Sequence, residues 1–505
     1  MFQSKTLNGN LSNIKNIKLL FIILILLSAG LLRFSLLFTA HQYPSGDESL
    51  AGMMAKQLIE DGKISIKHPS VAYSGGLYIE AYIIALSFKI FGISNISLKI
   101  PIVLLSLLSL LLVTLIAFKV GGIICCIILG AIYGFCPIFI RWNLLVWCGY
   151  IETLIFIPFL ILIFLEIYKK SNFENIIFLG FVSAVAFWNQ PIILSFVVAL
   201  ALLIFFNSKF GLIKAVLYIF ISILPRLIVE IPRKSSVFIE QHIPSVDFKN
   251  FFSRFIKVFY FDMPAFFSTD NVDNFPDIVS PFSYFWFIIT LVAVLSTVIG
   301  LIKSQKDFHL GEKLTHQNTI NLLLLSALGI HIIFYSLTKM GGTSPRYLLP
   351  AGFCLIMILA FYIYRLITTK KSLKKTIGYF LLILICFLTV AETLVLFREK
   401  RTVHDLRIIS TGKDLVRAIN FLKANDYKYV YANYFLQWRI MFESKGEIIV
   451  SSDNLMPMVY PYPEYEKIVD KAKKFAYVVN TQDPFKDLLL SRFNKMKVMY
   501  KIFDS

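Results

Sequence analysis

Apolar runs of close to bilayer length recur along this chain from near its N-terminus to about residue 397. An α-helix needs roughly 20 such residues to cross the hydrocarbon core. Inside that core each backbone N–H and C=O must be satisfied within the spanning element itself. The pattern therefore leaves few folds open. The runs lie near 17–38, 99–118, 121–140, 150–167, 174–188, 191–207, 212–231, 281–302, 318–338, 347–366 and 376–397, which is about eleven spans. With 57% hydrophobic residues, 16% charged residues and a mean hydropathy of +0.71, the 505-residue chain is too apolar for a soluble protein. The expected fold class is an all-α polytopic membrane protein.

The net charge of +19 raises nucleic-acid binding as a possibility. The lysines, however, sit between apolar runs, where the positive-inside rule accounts for them. With the N-terminus inside, the inside connections carry Lys119, then Lys169 and Lys170, then Lys209 and Lys214, then Lys303, Lys306 and Lys313, then Arg365, Lys370, Lys371, Lys374 and Lys375. The short outside connections carry only Arg141, Lys339 and Arg346. This places the chain in the cytoplasmic membrane with a cytoplasmic N-terminus. The first run follows Lys5, Lys15 and Lys18, is too long for a signal peptide and meets no small-x-small cleavage site, so it reads as an uncleaved anchor. The assignment requires Gly75 to Gly92 to stay outside as an interfacial helix, which suits its Glu80 and Lys89.

Three outside regions result: a first loop at 39–98, a second at 232–280, and a C-terminal tail at 398–505. The expected domains are a transmembrane domain over 1–397 and a small extracytoplasmic α/β domain over 398–505. In the tail, "DLVRAINFLKAND" places Leu415, Ile419 and Leu422 at helical spacing, while "YKYVYANYF", "GEIIVSSD" and "FAYVVN" read as strands. The second loop holds "RKSSVFIEQH" and a Phe-rich stretch with Lys249, Arg254 and Lys257, which reads as an interfacial basic helix. The six cysteines all lie in or beside apolar runs, and their spacing suggests neither a disulfide framework nor a metal site.

The stretch "HQYPSGDESLAGMMAKQLIEDGK" follows the first run and puts two adjacent acids, Asp47 and Glu48, at the membrane edge. Ser45 with Glu48 three residues on matches a capping box, and acids suit the first turn of any helix. That alone explains the pair without function. The helix that follows carries Leu50, Met54 and Leu58 on the face of Asp47, which could rest on the membrane and hold the acid at headgroup level. Lys67, His68 and Tyr73 are polar companions in the same loop, together with Glu80.

The anchor run, "GDESLAGMMAKQLIEDG", "YSGGLYIEAYIIALSFKIFG" and a span opened by Pro101 occur in an order that resembles the first module of the GT-C superfamily. These are membrane glycosyltransferases that use polyprenyl-phosphate sugars. The branch resembled contains the protein O-mannosyltransferases and the lipid A aminoarabinose transferases. "SPRYLLPAGF", "GYIETL", "FWNQP" and "YVYANYFLQWRIMFESKGEIIV" followed by "YPYPEY" are also similar to stretches in that branch. The family's Lys-Pro-Pro or His-Pro-Pro is replaced here by "KHPSVAYSGGL", so the donor sugar and acceptor do not carry over.

The resemblance implies a single displacement at the outer face of the cytoplasmic membrane. A carboxylate takes the acceptor proton and cations hold the departing phosphate. It implies Asp47 as the base, with Glu48 orienting the acceptor, supporting the loop or serving only as the cap. Arg346 is the expected phosphate ligand, because its fork matches phosphate oxygens; the competing reading is an interfacial anchor, with Tyr347 in an aromatic belt. Glu152 and Trp188, near outer ends of spans, are candidates for the same cavity, with Lys67 and Glu80 as further substrate contacts. The partners implied are a polyprenyl-phosphate sugar donor, a protein, lipid or glycan acceptor and membrane lipids, with no nucleic acid. No cofactor is required, although His41, His68, Asp47 and Glu48 share a loop that could take a divalent cation; their spacing matches no ligand pattern. Two other readings stay open: a non-enzymatic lipid-sugar carrier, and an oligosaccharide transferase with a lipid-diphosphate donor.

Overall fold

A computed structural model describes residues 4–39, 43–64, 66, 74–169, 172–207, 211–230, 246–267, 280–306, 316–338, 344–398, 412–452, 463–479, 485–495 and 502. In chain order the helices are α1 (Ser4–Thr39), α2 (Gly46–Asp61), α3 (Ser74–Phe91), α4 (Asn95–Phe135), α5 (Pro137–Trp142), α6 (Tyr150–Lys169), α7 (Phe173–Asn189), α8 (Leu194–Asn207) and α9 (Gly211–Glu230). They continue with α10 (Phe251–Lys257), α11 (Met263–Phe266), α12 (Pro281–Lys306), α13 (His316–Leu337), α14 (Leu349–Thr368) and α15 (Ser372–Arg398). The tail adds α16 (Gly412–Ala424), β1 (Tyr429–Ala432), α17 (Tyr434–Glu443), β2 (Ile449–Ser451), α18 (Pro463–Asp470), β3 (Ala476–Val478) and α19 (Phe485–Lys495).

Among the described residues, eight helices are long and apolar enough to cross a membrane, and two shorter apolar helices cover Phe173–Asn189 and Pro191–Phe206. One of the eight, α4, has 41 residues and accounts for two of the runs seen in sequence. It leaves helical geometry at Gly121 and Gly122, where Gly122 has φ +66 and ψ −152. That region is open essentially to glycine alone. The chain doubles back there: Gly130 lies against Thr114, and Gly134 against Leu110, a pairing centred on the glycine turn. Every span expected from sequence thus has its helix, and the chain is the polytopic helical protein that its composition required.

Contacts divide the chain into two compact units. The first comprises Met1–Ser35, Ile102–Leu144 and Gly149–Arg398. Among its candidate spans the most enclosed is α14, in which all but a few residues are buried, as a central span must be. Pro137 ends α4, since it offers no N–H to continue the ladder, and Cys136 before it is extended (φ −60, ψ 118). The Gly134 carbonyl near this break accepts from Nη1 of Arg33 at 2.9 Å. Arg33, a buried charge within a span, therefore has a structural task. In the second loop α10 exposes Phe252 and Ile256, with Phe248 just before it. Arg254 there is paired with Asp247 at 2.7 Å and donates to the Thr338 carbonyl. "RKSSVFIEQH" lies outside the described residues.

The second unit comprises Leu36–Pro101, Leu145–Cys148 and Glu399–Ser505. The sequence divides the chain at about residue 398, whereas the contacts group the tail with the first loop. The tail is α/β, as expected. Among the described residues three strands run parallel in the order β2-β1-β3, with Val430 beside Val450 on one side and Ala476 on the other. Leu415, Ile419 and Leu422 of α16 are buried, which confirms the helical face read from their spacing. The six cysteines are free, five of them buried.

Candidate functional site

Helix α2 starts as its sequence predicts. Ser45 is extended, its side chain accepts from the Glu48 N–H, and Glu48 Oε2 accepts from the Ser45 N–H at 2.7 Å. Gly62 in the left-handed region ends the helix. The expectation that Leu50, Met54 and Leu58 rest on the membrane is overturned for the first two, which are fully buried, while Leu58 is half-buried. Their apolar face is taken up by protein, because α2 packs between α3 and α17. Gly52 makes the close approach possible. A Cβ there would lie 2.6 Å from the Phe442 ring, which itself stacks on Phe88 at 6.0 Å.

Three acids of the first loop hold three consecutive residues of the 145–148 segment. Glu48 Oε1 accepts from the Val146 N–H at 3.1 Å. Asp47 Oδ2 accepts from the Trp147 indole N–H at 3.1 Å. Glu80 Oε2 accepts from the Cys148 N–H at 2.9 Å. Cys148 has φ +47, a conformation that costs a non-glycine residue roughly 1–2 kcal/mol. The bond to Glu80 helps to hold it there.

The adjacent acids have different surroundings. Glu48 is 2% exposed, and besides its two backbone donors it forms an ion pair with Lys99 Nζ at 2.9 Å. Lys99 is itself 1% exposed. Asp47 is half-buried and makes no ion pair among the described residues. Its Oδ1 accepts from the Tyr434 phenol at 2.8 Å and its Oδ2 from Trp147. Each oxygen keeps a further lone pair for another donor. Asp47 can therefore take a proton from a bound hydroxyl or amine, whereas Glu48 is occupied as a brace.

Two further groups lie in the first unit. Glu152, in the first turn of α6, is buried, and neither carboxylate oxygen has a hydrogen-bond partner among the described residues. Nearby, Asn189 donates to the Gly149 carbonyl at 3.0 Å. Trp188 is half-buried at the end of α7, where Arg226 donates to the Phe187 carbonyl at 2.6 Å and lies over the Phe187 ring. In the second group, Arg346 sits in a 3-10 turn, Pro345–Leu348, that leads into α14. Its guanidinium stacks on the Tyr347 ring at 5.0 Å and donates to the Tyr347 hydroxyl at 3.2 Å. His331 holds the Tyr347 carbonyl at 2.7 Å and meets Ser195 at 3.1 Å.

The structure thus brings Asp47, Glu48 and Glu80 together around one segment. It pairs Arg346 with Tyr347. Lys67, His41, His68 and Tyr73 lie outside the described residues, and among those described no three His, Cys, Asp or Glu side chains gather as a metal site would require. Sequence reasoning missed Lys99, Trp147, Tyr434 and Arg226. The one available signal was Lys99, a lone charge just ahead of Pro101 in an apolar run.

No protein-family model matches the chain, and no curated protein matches it in sequence. Solved structures do match. ArnT from Cupriavidus metallidurans in the apo state superposes with a TM-score of 0.58 at 10% identity, over 93% of this chain and 94% of that one. The same protein bound to undecaprenyl phosphate gives 0.55 at 12% identity, with the same coverage. The archaeal oligosaccharyltransferase AglB from Archaeoglobus fulgidus, in complex with an inhibitory peptide and a dolichol-phosphate, gives 0.50 at 13% identity, over 86% of this chain and 64% of that one. At these identities the likeness is one of fold. The chain has the GT-C fold that the sequence resemblance implied.

Proposed function

We propose that the chain is an integral-membrane glycosyltransferase that moves a sugar from a polyprenyl-phosphate carrier to an acceptor at the outer face of the cytoplasmic membrane. The observation that carries this reading is the state of Asp47. It is the acid of the first-loop pair that remains half-exposed, with both oxygens oriented by neutral donors. The solved structures of like fold add support, one with bound undecaprenyl phosphate and one with a dolichol-phosphate. The lysine asymmetry between connections supports the orientation.

The chemistry is a single displacement. Asp47 takes the proton of the acceptor O–H or N–H as the acceptor atom attacks the anomeric carbon. The bond from that carbon to the phosphate oxygen breaks with inversion, and polyprenyl phosphate leaves with the electron pair. A phosphate is a good leaving group and needs no general acid. Arg346 is our reading for the group that meets the growing charge on phosphate, because its planar fork is pre-set by the stack on Tyr347. Glu152, a buried carboxylate with two open acceptor oxygens, suits sugar hydroxyls or an amine, and Trp188, half-buried at the end of α7, offers a ring face.

The test is to incubate purified protein with lipid-linked sugars extracted from membranes and a cell-envelope acceptor fraction, and to assay free polyprenyl phosphate by mass spectrometry. Time-dependent release that persists in EDTA is expected. Release of polyprenyl diphosphate instead, abolished by EDTA, would move the reading to an oligosaccharide transferase. Flipping of intact lipid-linked sugar without release would make the chain a carrier.

A further inference from the structure

We infer that Tyr434 is a positioning residue for Asp47, so that the C-terminal α/β segment completes the first-loop site. The inference rests on the reading of Asp47 as the base.

The tail delivers Tyr434 by a short and well-defined route. Strand β1 is the central strand of the parallel sheet and ends at Ala432. Asn433 is extended, and its side chain caps α17 by accepting from the Leu436 N–H at 3.0 Å. Tyr434 is the next residue, at the carboxyl end of the central strand. In open parallel sheets that end is where ligand-facing residues collect, at the point where the strand order reverses. Here the central strand has a neighbour of later sequence on each side. What Tyr434 meets there is Asp47.

Packing fixes the helix that carries it. Phe442 lies two turns after Tyr434 on the same face of α17, and it fills the space left by Gly52 and stacks on Phe88. Leu436, Trp438, Ile440 and Met441 are buried as well, so apolar anchorage runs the length of α17. At the start of the helix the Tyr434 hydroxyl adds a bond to Asp47.

The bond matters because of a property of aspartate. The torsion that turns a carboxylate is soft and roughly two-fold, so one donor leaves its plane poorly defined. Donors on separate oxygens fix it. Trp147 takes Oδ2 and Tyr434 takes Oδ1, which aims the remaining lone pairs in set directions. A base held this way meets the acceptor proton without first having to reorient.

The experiment uses the full-length protein and the polyprenyl phosphate release assay. Tyr434→Phe should keep the melting temperature and donor KM of the wild type and lower kcat by about 10- to 100-fold. Added to Asp47→Asn, it should change the residual rate by less than about twofold, because it acts through Asp47. Trifluorotyrosine at position 434 keeps the shape but ionises well below the usual tyrosine value of about 10. It should give a kcat that falls as that phenol loses its proton, with the wild-type profile flat over the same range. A wild-type kcat for Tyr434→Phe beside an inactive Asp47→Asn would overturn the inference and leave Asp47 as the base. A wild-type kcat for Asp47→Asn would overturn the base and the inference together. Were Tyr434→Phe to unfold, a pH profile unchanged by trifluorotyrosine would still overturn it.

Discussion

Tyr434 donates its phenol hydrogen to Oδ1 of Asp47 at 2.8 Å, although the two residues stand 387 positions apart in the chain. The contact joins the start of α17 to the first turn of α2, both within one compact unit. Its consequences for activity and stability can be measured at several of the groups around it.

Gly52 lies under the Phe442 ring at a distance no real Cβ tolerates. Gly52→Ala forces the ring or α17 to shift and should destabilise this unit by about 1–3 kcal/mol. The melting temperature in detergent reads the loss. Gly52→Ala with Phe442→Leu should recover part of it, because a smaller side chain relieves the overlap.

Lys99 and Glu48 form an ion pair that is almost wholly out of solvent. Lys99→Met leaves the Glu48 carboxylate buried with only neutral donors, at a cost of about 3–5 kcal/mol. Lys99→Met with Glu48→Gln removes both charges and should be the more stable of the two variants. Equal melting temperatures for wild type and Lys99→Met would show that the pair contributes no stability.

Glu443 pairs with Arg439 at 3.5 Å with both side chains nearly buried. Burial raises its carboxyl above the ordinary range, and the Arg439 charge opposes but does not cancel that rise. The folded state thus holds this proton more tightly than the unfolded state does. The stability involved is fully present below the unfolded value of about 4.3 and is lost as pH rises through the folded value. Glu443→Gln should flatten that part of the curve of melting temperature against pH. An unchanged slope would contradict the assignment.

Arg346→Lys keeps the charge but loses the fork and the stack on Tyr347. If Arg346 binds the lipid phosphate, donor KM should rise about tenfold while stability stays close to wild type. An unchanged KM with a lower melting temperature would make it an anchor for α14.

Much of the fold was legible because a membrane solvent forces a simple code. Runs of apolar residues at 99–118 and 121–140 marked two spans, while the turn that joins them falls at Gly121 and Gly122, at the start of the second run. The capping box at Ser45 and Glu48 was equally local and formed as read. The tail's strands and the buried face of α16 followed from period alone. What escaped were contacts between distant positions. Trp147 is 100 residues from Asp47, and Tyr434 almost four times as far. No local pattern marks an indole or a phenol as a carboxylate's partner. Glu80 was named as a substrate contact, and its partner escaped for a different reason: it is the backbone N–H of Cys148, which any residue but proline supplies. The face of Leu50 and Met54 was read correctly as apolar, but periodicity cannot distinguish a lipid surface from the α17 helix that covers α2.

The most direct test of the account is polyprenyl phosphate release by Asp47→Asn beside wild type, each at matched folding and with the same donor extract and acceptor fraction. The change is nearly isosteric and keeps Oδ1 as an acceptor for Tyr434; it gives up the Trp147 bond but leaves the Ser45–Glu48 capping box intact, so the fold around α2 should persist. The account predicts release by the wild type and a rate at least about 100-fold lower for Asp47→Asn. Equal release by both would contradict it and return Asp47 to the first turn of a capped helix, with the base to be sought elsewhere.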